Sequence, residues 1–141
     1  MPATAPYGSW DSPVSAELVA RGGRRLATAT IAADGAVWWA EGRPADGGRS
    51  ALMRRPAGGE PDEVTPAGTN VRPRVHEYGG GAGKLLGPEL VVYVDFADQR
   101  AYRLELGGEP VAITPEPEQP AGLRYADFEL HPDGVTLFCV R

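Results

Sequence analysis

Apolar residues in this chain fall into short runs separated by glycine, proline and aspartate. Runs of that kind, bounded by turn residues, read as strands. Residues 26–32 (LATATIA) and 36–41 (AVWWAE) flank Asp34-Gly35, a pair that tolerates the positive φ of a tight hairpin. Residues 49–55 (RSALMRR) and 62–66 (DEVTP) supply a third and a fourth strand. Ahead of them, SPVSAELVARGG predicts one helix, with Ser12 as its cap, Pro13 at its first position and Gly22-Gly23 as its stop.

The pattern then repeats. Gly58-Gly59-Glu60-Pro61 returns as Gly107-Gly108-Glu109-Pro110, and Val64-Thr65-Pro66 as Ile113-Thr114-Pro115, both at an offset of 49 residues. The strands between them correspond too, ALMRR to AYRLEL and AVWWAE to LVVYVDF, and a third copy opens at YADFELHPDGVTLFCVR. A period near 50 residues with four short strands is the signature of a propeller blade, a sheet that buries its two faces only against neighbouring blades. The predicted fold is therefore all-β: a partial β-propeller of about two and a half four-stranded blades behind a short N-terminal helix. Its divisions are an N-terminal segment at 1–25 and an incomplete propeller at 26–141, made of blades at 26–66 and 75–115 and a half blade at 124–141.

Length and charge narrow the classes. A chain of 141 residues supports one modest core. A net charge of −5 argues against a nucleic-acid partner, which needs clustered Lys and Arg. No run reaches the roughly 18 apolar residues of a membrane span, and the first residues lack a signal-peptide pattern; a cytoplasmic protein is the expectation. Cys139, the single cysteine, can form neither an internal disulfide nor a cysteine zinc cage, and reads as a small buried hydrophobe. No cofactor or metal is called for.

Candidate chemistry concentrates in RVHEYGGGAGKL. The run fails as a phosphate loop, because Tyr78 and Leu85 stand where the first glycine and the hydroxyl residue are needed, and a strand rather than a helix follows. Its glycines suit the innermost strand of a blade, where backbones crowd the propeller axis. His76, Glu77 and Tyr78 head the second unit, on a strand whose neighbouring side chains face opposite ways. That argues against a local catalytic triad and favours two uses, a buried polar cluster tying blades together or groups lining a substrate channel. His131, beside Pro132-Asp133-Gly134, reads as a turn residue, and Trp38 and Trp39 as packing on either side of their blade.

YGSWDSPVSAELVARG, WWAEGRPADGGRSALMRR, NVRPRVHEYGGGA, DFADQRAYRL and LRYADFELHPDG together resemble the N-terminal propeller of prolyl oligopeptidase family serine peptidases, in the acylaminoacyl-peptidase and dipeptidyl-aminopeptidase branch. Gly83-Lys84 departs from the aromatic strand residue looked for there. The resemblance implies a parent enzyme in which the propeller gates a C-terminal α/β-hydrolase domain that cleaves short peptides or acyl-amino acids through Ser, Asp and His. No Gly-x-Ser-x-Gly elbow surrounds Ser9, Ser12, Ser15 or Ser50, so the family's catalytic residues have no positions here. The expectation is an N-terminal fragment, or the product of a truncated reading frame, that meets peptide substrate only through the parent's hydrolase domain. The alternative is a stand-alone module that self-associates through open blade edges.

Overall fold

A computed structural model describes residues 4–9, 11–20, 22–77 and 80–141. The N-terminal segment carries one short helix, α1 (Ala16–Ala20). Its cap is Ser15, whose Oγ accepts from Leu18 N–H at 3.0 Å, rather than Ser12, whose Oγ accepts from Val14 N–H ahead of the helix. Pro13 lacks an N–H to donate, and the chain commits to helical bonds only after it. Gly22, at φ 54°, ends the helix as the sequence predicts.

Three antiparallel sheets follow. The first comprises β1 (Arg25–Ile31), β2 (Val37–Arg43), β3 (Arg49–Arg55) and β4 (Asp62–Glu63), paired in chain order. The second comprises β5 (Gly83–Gly87), β6 (Leu90–Val94), β7 (Ala101–Glu105) and β8 (Val111–Ala112), in the same order. The third is the pair β9 (Ala126–Leu130) and β10 (Leu137–Val140). This is a partial β-propeller.

The repeated sequence blocks make the same bonds. Thr65 Oγ1 accepts from Leu52 N–H at 3.4 Å and Thr114 Oγ1 from Ala101 N–H at 3.0 Å. Next to them, Val64 N–H donates to Leu52 O and Ile113 N–H to Ala101 O. Proline follows each threonine and has no N–H to extend the ladder. The outer strand therefore stops after two residues, and the threonine hydroxyl takes over the last inner N–H. The turns into β3 and β7 match as well. Gly48 (φ 74°) and Gln99 (φ 62°) are both left-handed, and each precedes an arginine that donates to a backbone carbonyl, Arg49 to Thr69 O and Arg100 to Thr114 O.

Side chains alternate across β6, so its apolar run feeds two cores. Val91 and Tyr93 pack toward the first sheet with Trp38, Leu52 and Leu104. Val92 and Val94 pack toward the third with Ala101, Tyr125 and Phe128. A strand covered on both faces needs no polar alternation. Burial pushes the Tyr93 hydroxyl up to about 12. β1 is covered less: Leu26 and Ile31 remain 65% and 74% exposed.

Two expectations fail. Cys139 is exposed, because β10 pairs only with β9 among the described strands, and Phe138, Cys139 and Val140, which point to alternate faces, are all exposed. The second unit's first strand starts at Gly83, and residues 75–76 form a turn instead. The cause is the segment before it. Val71 N–H donates to Ser50 O, Ser50 N–H to Asn70 Oδ1, Phe96 N–H to Asn70 O and Arg72 N–H to Val94 O. The link between sheets is thus stitched to both and must bend before it can enter β5.

Gln99 holds that bend. Fully buried, its side chain accepts from Arg74 N–H at 2.7 Å and donates to Phe96 O at 3.0 Å and Arg72 O at 3.3 Å. Replacement by leucine strands three backbone groups and should destabilise the chain by about 2–3 kcal/mol in urea unfolding. Gln99→Gly, which relieves the left-handed φ, should cost nearly as much; a glycine variant as stable as wild type would show that strain, not bonding, dominates there. A second outcome concerns acid. Glu63 accepts from Arg49 Nη1 at 2.6 Å and Nη2 at 3.1 Å and also from Arg43. These bonds, Arg49's first, hold its carboxyl below the usual 4.5. A lowered folded-state value stabilises above the unfolded value and is lost as pH falls through the folded one. Unfolding midpoints measured from pH 7 downward should therefore drop below about pH 4.5, and less steeply in Glu63→Gln than in wild type.

Candidate functional site

The turn between the first two sheets is built from charged residues over an aromatic floor. Arg72 and Arg74 extend across the Phe96 ring, their guanidinium carbons 5.4 and 5.6 Å from its centroid. Glu77 N–H donates to Arg74 O at 3.1 Å, closing the turn, and Glu77 itself is left-handed at φ 59°. Its carboxylate accepts from Arg74 Nη2 at 3.1 Å and from Arg124 Nη1. Arg124 also donates to Arg74 O at 3.0 Å and Ala121 O at 3.1 Å. The approach to β9 is thereby tied to the turn.

These bonds, Arg124's first and then Arg74's, keep the Glu77 carboxyl below its ordinary range. At neutral pH it is a fixed anion. With 55% of its side chain exposed, it can still receive a cation such as an ammonium group, but it is unsuited to proton transfer. His76 Nε2 lies 3.9 Å from Asp127 Oδ2, beyond hydrogen-bond distance, and both side chains are about half exposed.

Asp127 explains the glycines. Its Oδ1 accepts from Gly81 N–H at 2.6 Å, and its own N–H donates to Gly81 O at 3.0 Å, from a residue at φ 55°. A Cβ on Gly81 would stand 2.9 Å from that Oδ1, and one on Gly83 would stand 2.9 Å from Val92 O. Residues 80–83 are the place where two sheets approach each other and where β5 meets β6, not an anion cradle.

Sequence reading and structure agree in part here. His76 and Glu77 come together with Arg74, Arg124 and Asp127, but on a turn rather than on a strand, so the strand alternation invoked for them does not apply. Tyr78 lies outside the described residues. Arg124, Asp127 and Gln99 were not singled out. The parallel between ADGGR at 45–49 and ADQR at 97–100 carries the signal for Gln99, since a glutamine stands where the first turn uses glycine.

His131 is a turn residue: its N–H donates to Thr136 O, its carbonyl accepts from Gly134 N–H, and its ring meets Phe138 edge-on at 5.6 Å. Asp133 completes that turn, pulled down to about 2 chiefly by the Thr136 and Val135 N–H groups. The hydroxyls of Ser9, Ser12 and Ser15 bond to local backbone, and no hydrogen bond between a serine and a histidine occurs among the described residues. No cluster of three or more His, Cys, Asp or Glu side chains fit for a metal occurs among them either. None of their helices is long and apolar enough to cross a membrane.

No family model and no curated protein sequence matches the chain. Solved structures do. A puromycin-hydrolysing peptidase of Mycobacterium tuberculosis is 44% identical at a TM-score of 0.86, over 98% of this chain and 21% of that one. Puromycin hydrolase is 42% identical at 0.80, over 96% of this chain and 22% of that one. A mutant of puromycin hydrolase complexed with PGG is 43% identical at 0.77, over 92% and 21%. The chain spans about a fifth of the length of these structures. The chain is homologous to the N-terminal propeller region of puromycin-hydrolysing peptidases of the prolyl oligopeptidase family.

Proposed function

We propose that the chain is the opening part of a propeller that controls access to the catalytic site of a serine peptidase acting on short peptides or acyl-amino acids. The observation that carries this is the 44% identity over 98% of the chain with a puromycin-hydrolysing peptidase. In this reading His76 and Glu77 face the substrate's path, and Tyr78, outside the described residues, is the third candidate for it. Glu77, held ionised by two arginines, attracts the free amino group of an incoming substrate. In this reading hydrolysis belongs to a hydrolase domain of the parent enzyme; these 141 residues themselves carry no Gly-x-Ser-x-Gly elbow. A cytoplasmic setting completes the reading.

A chimera tests it. Residues 1–141 replace the matching N-terminal region of a puromycin-hydrolysing peptidase, and aminoacyl substrates with free and blocked amino groups are assayed. The chimera should hydrolyse both. Glu77→Gln should raise KM about tenfold for the free amine, by loss of one charge-assisted contact, with little change for the blocked one. A folded but inactive chimera would overturn the propeller assignment. Equal effects on both substrates would remove Glu77 from recognition.

Self-association is the second reading, favoured by exposed apolar residues on two edge strands: Leu26 and Ile31 on β1, Phe138 and Val140 on β10. An edge strand of that kind recruits other chains. Light scattering on the chain should show concentration-dependent dimers or larger species, reduced in an Ile31→Lys, Phe138→Lys variant. A monodisperse monomer would refute it.

A further inference from the structure

A cleft runs between β1 of the first sheet and the start of β5 in the second. It consists of two hollows of about 290 and 150 Å3 that share Thr28, Ala40, Val71 and Ala82 along their length. The larger adjoins Trp38, Leu52 and Val91; the smaller adjoins Arg25 and Arg72. The larger alone is close to the lower end of the ~300–1,000 Å3 range of small-molecule sites.

Its two ends differ in chemistry. Trp38 is 2% exposed, and its indole Nε1 has no acceptor among the described residues. Arg54, whose guanidinium carbon lies 5.8 Å from the Trp38 ring centroid, has a second enclosed donor without a partner, Nε, while its Nη2 is neutralised by Asp34 Oδ2 at 2.8 Å. A buried N–H without an acceptor costs about 1–3 kcal/mol, so Trp38 Nε1, on a residue that lines the larger hollow, is a donor that an incoming oxygen would satisfy, whereas Arg54 lines neither hollow. No net positive charge is available there, and the matching group is a neutral carbonyl. At the other end neither Arg25 nor Arg72 makes an ion pair among the described residues, in a chain where Asp and Glu outnumber Lys and Arg by 19 to 14. Most other arginines are committed to carboxylates or carbonyls, as Arg43, Arg49, Arg100 and Arg124 are. An anion is the complement to this pair.

We propose that the cleft between the first two sheets is a ligand site for a small apolar carboxylate that also carries a neutral carbonyl, the carboxylate held by Arg25 and Arg72 and the carbonyl by Trp38 Nε1. The apolar body lies between them, against Leu52 and Val91. Acylated amino acids with an aliphatic side chain have this chemistry. The site adjoins the Glu77 turn through Arg72, whose guanidinium also lies over Phe96 beside Arg74.

N-acetyl-L-leucine is the probe, and N-acetyl-L-leucinamide, which keeps the carbonyl and the side chain but lacks the charge, is its control. Each is titrated into the 1–141 chain at constant ionic strength while the assigned Trp38 indole N–H resonance is followed. The acid should shift that resonance saturably, and the amide should bind at least about tenfold more weakly. Arg25→Gln and Arg72→Gln should each weaken the acid about tenfold and leave the amide unchanged, while Arg103→Gln, on β7, should change neither. Trp38→Phe should weaken both ligands about fivefold. If that variant does not fold, the Arg25→Gln titration still decides, since Arg25 is exposed and makes no ion pair among the described residues. No saturable shift at the solubility limit of the acid would overturn the site. Equal binding of acid and amide would overturn its anionic end.

Discussion

Everything between the first two sheets depends on one buried side chain in an unusual backbone state. Gln99 sits at φ 62°, left-handed, in the turn that joins β6 to β7, and from there its amide reaches the backbone of Arg72, Arg74 and Phe96. A residue other than glycine in that region carries a steric cost. Here three hydrogen bonds in a water-free setting offset it. They also fix where the chain must leave the edge of β6, and so set the turn that carries His76 and Glu77. Glycine, used at the equivalent place in the first sheet, gives the same backbone turn without the reach.

Repetition in this chain is repetition of bonds more than of letters. Thr-Pro at 65–66 and at 114–115 is one device used twice: proline ends the outer strand, and the threonine hydroxyl satisfies the inner N–H thereby left over. The arginines that follow the two left-handed turn residues repeat in the same way, each donating to a carbonyl near the exit of its sheet. Where the units differ, the differences mark the junctions. β1 has Thr28 in the left-handed state and β9 has Asp127, while the stretch leading into β5 has glycines. The Asp127–Gly81 junction is closed by paired hydrogen bonds, and the junction beside Thr28 stays hollow.

This accounts for what could be read in the sequence. Strand positions were legible because each is a local apolar run between turn residues, and β3 at Arg49–Arg55 was read to the residue. The sheets were legible because 49-residue spacings recur at Gly58 and Val64. The bend at 74–77 was not, because its cause lies 25 residues away, in the Gln99 amide bonded to Arg74 N–H. Exposure of Cys139 was hidden for a related reason: VTLFCV is apolar enough for a buried strand, but whether a neighbouring sheet covers it is a tertiary fact that no local pattern encodes.

The same distinction separates the two uses of RVHEYGGGAGKL. A glycine-rich run followed by lysine invites a phosphate-binding reading, which depends on free N–H groups pointing into a common space at a helix N-terminus. In this fold the Gly81 N–H is taken by Asp127, Lys84 is paired with Glu129 at 2.8 Å, and Gly83 lacks a side chain because Val92 O occupies its place. Each element that could have held an anion is already spent on joining sheets. What remains partly exposed at the turn is a mixture of charges, the carboxylates of Glu77 and Asp127 beside His76 and the guanidinium groups of Arg74 and Arg124. A propeller built this way has its glycines holding strands together, a use that follows from where the N–H groups end.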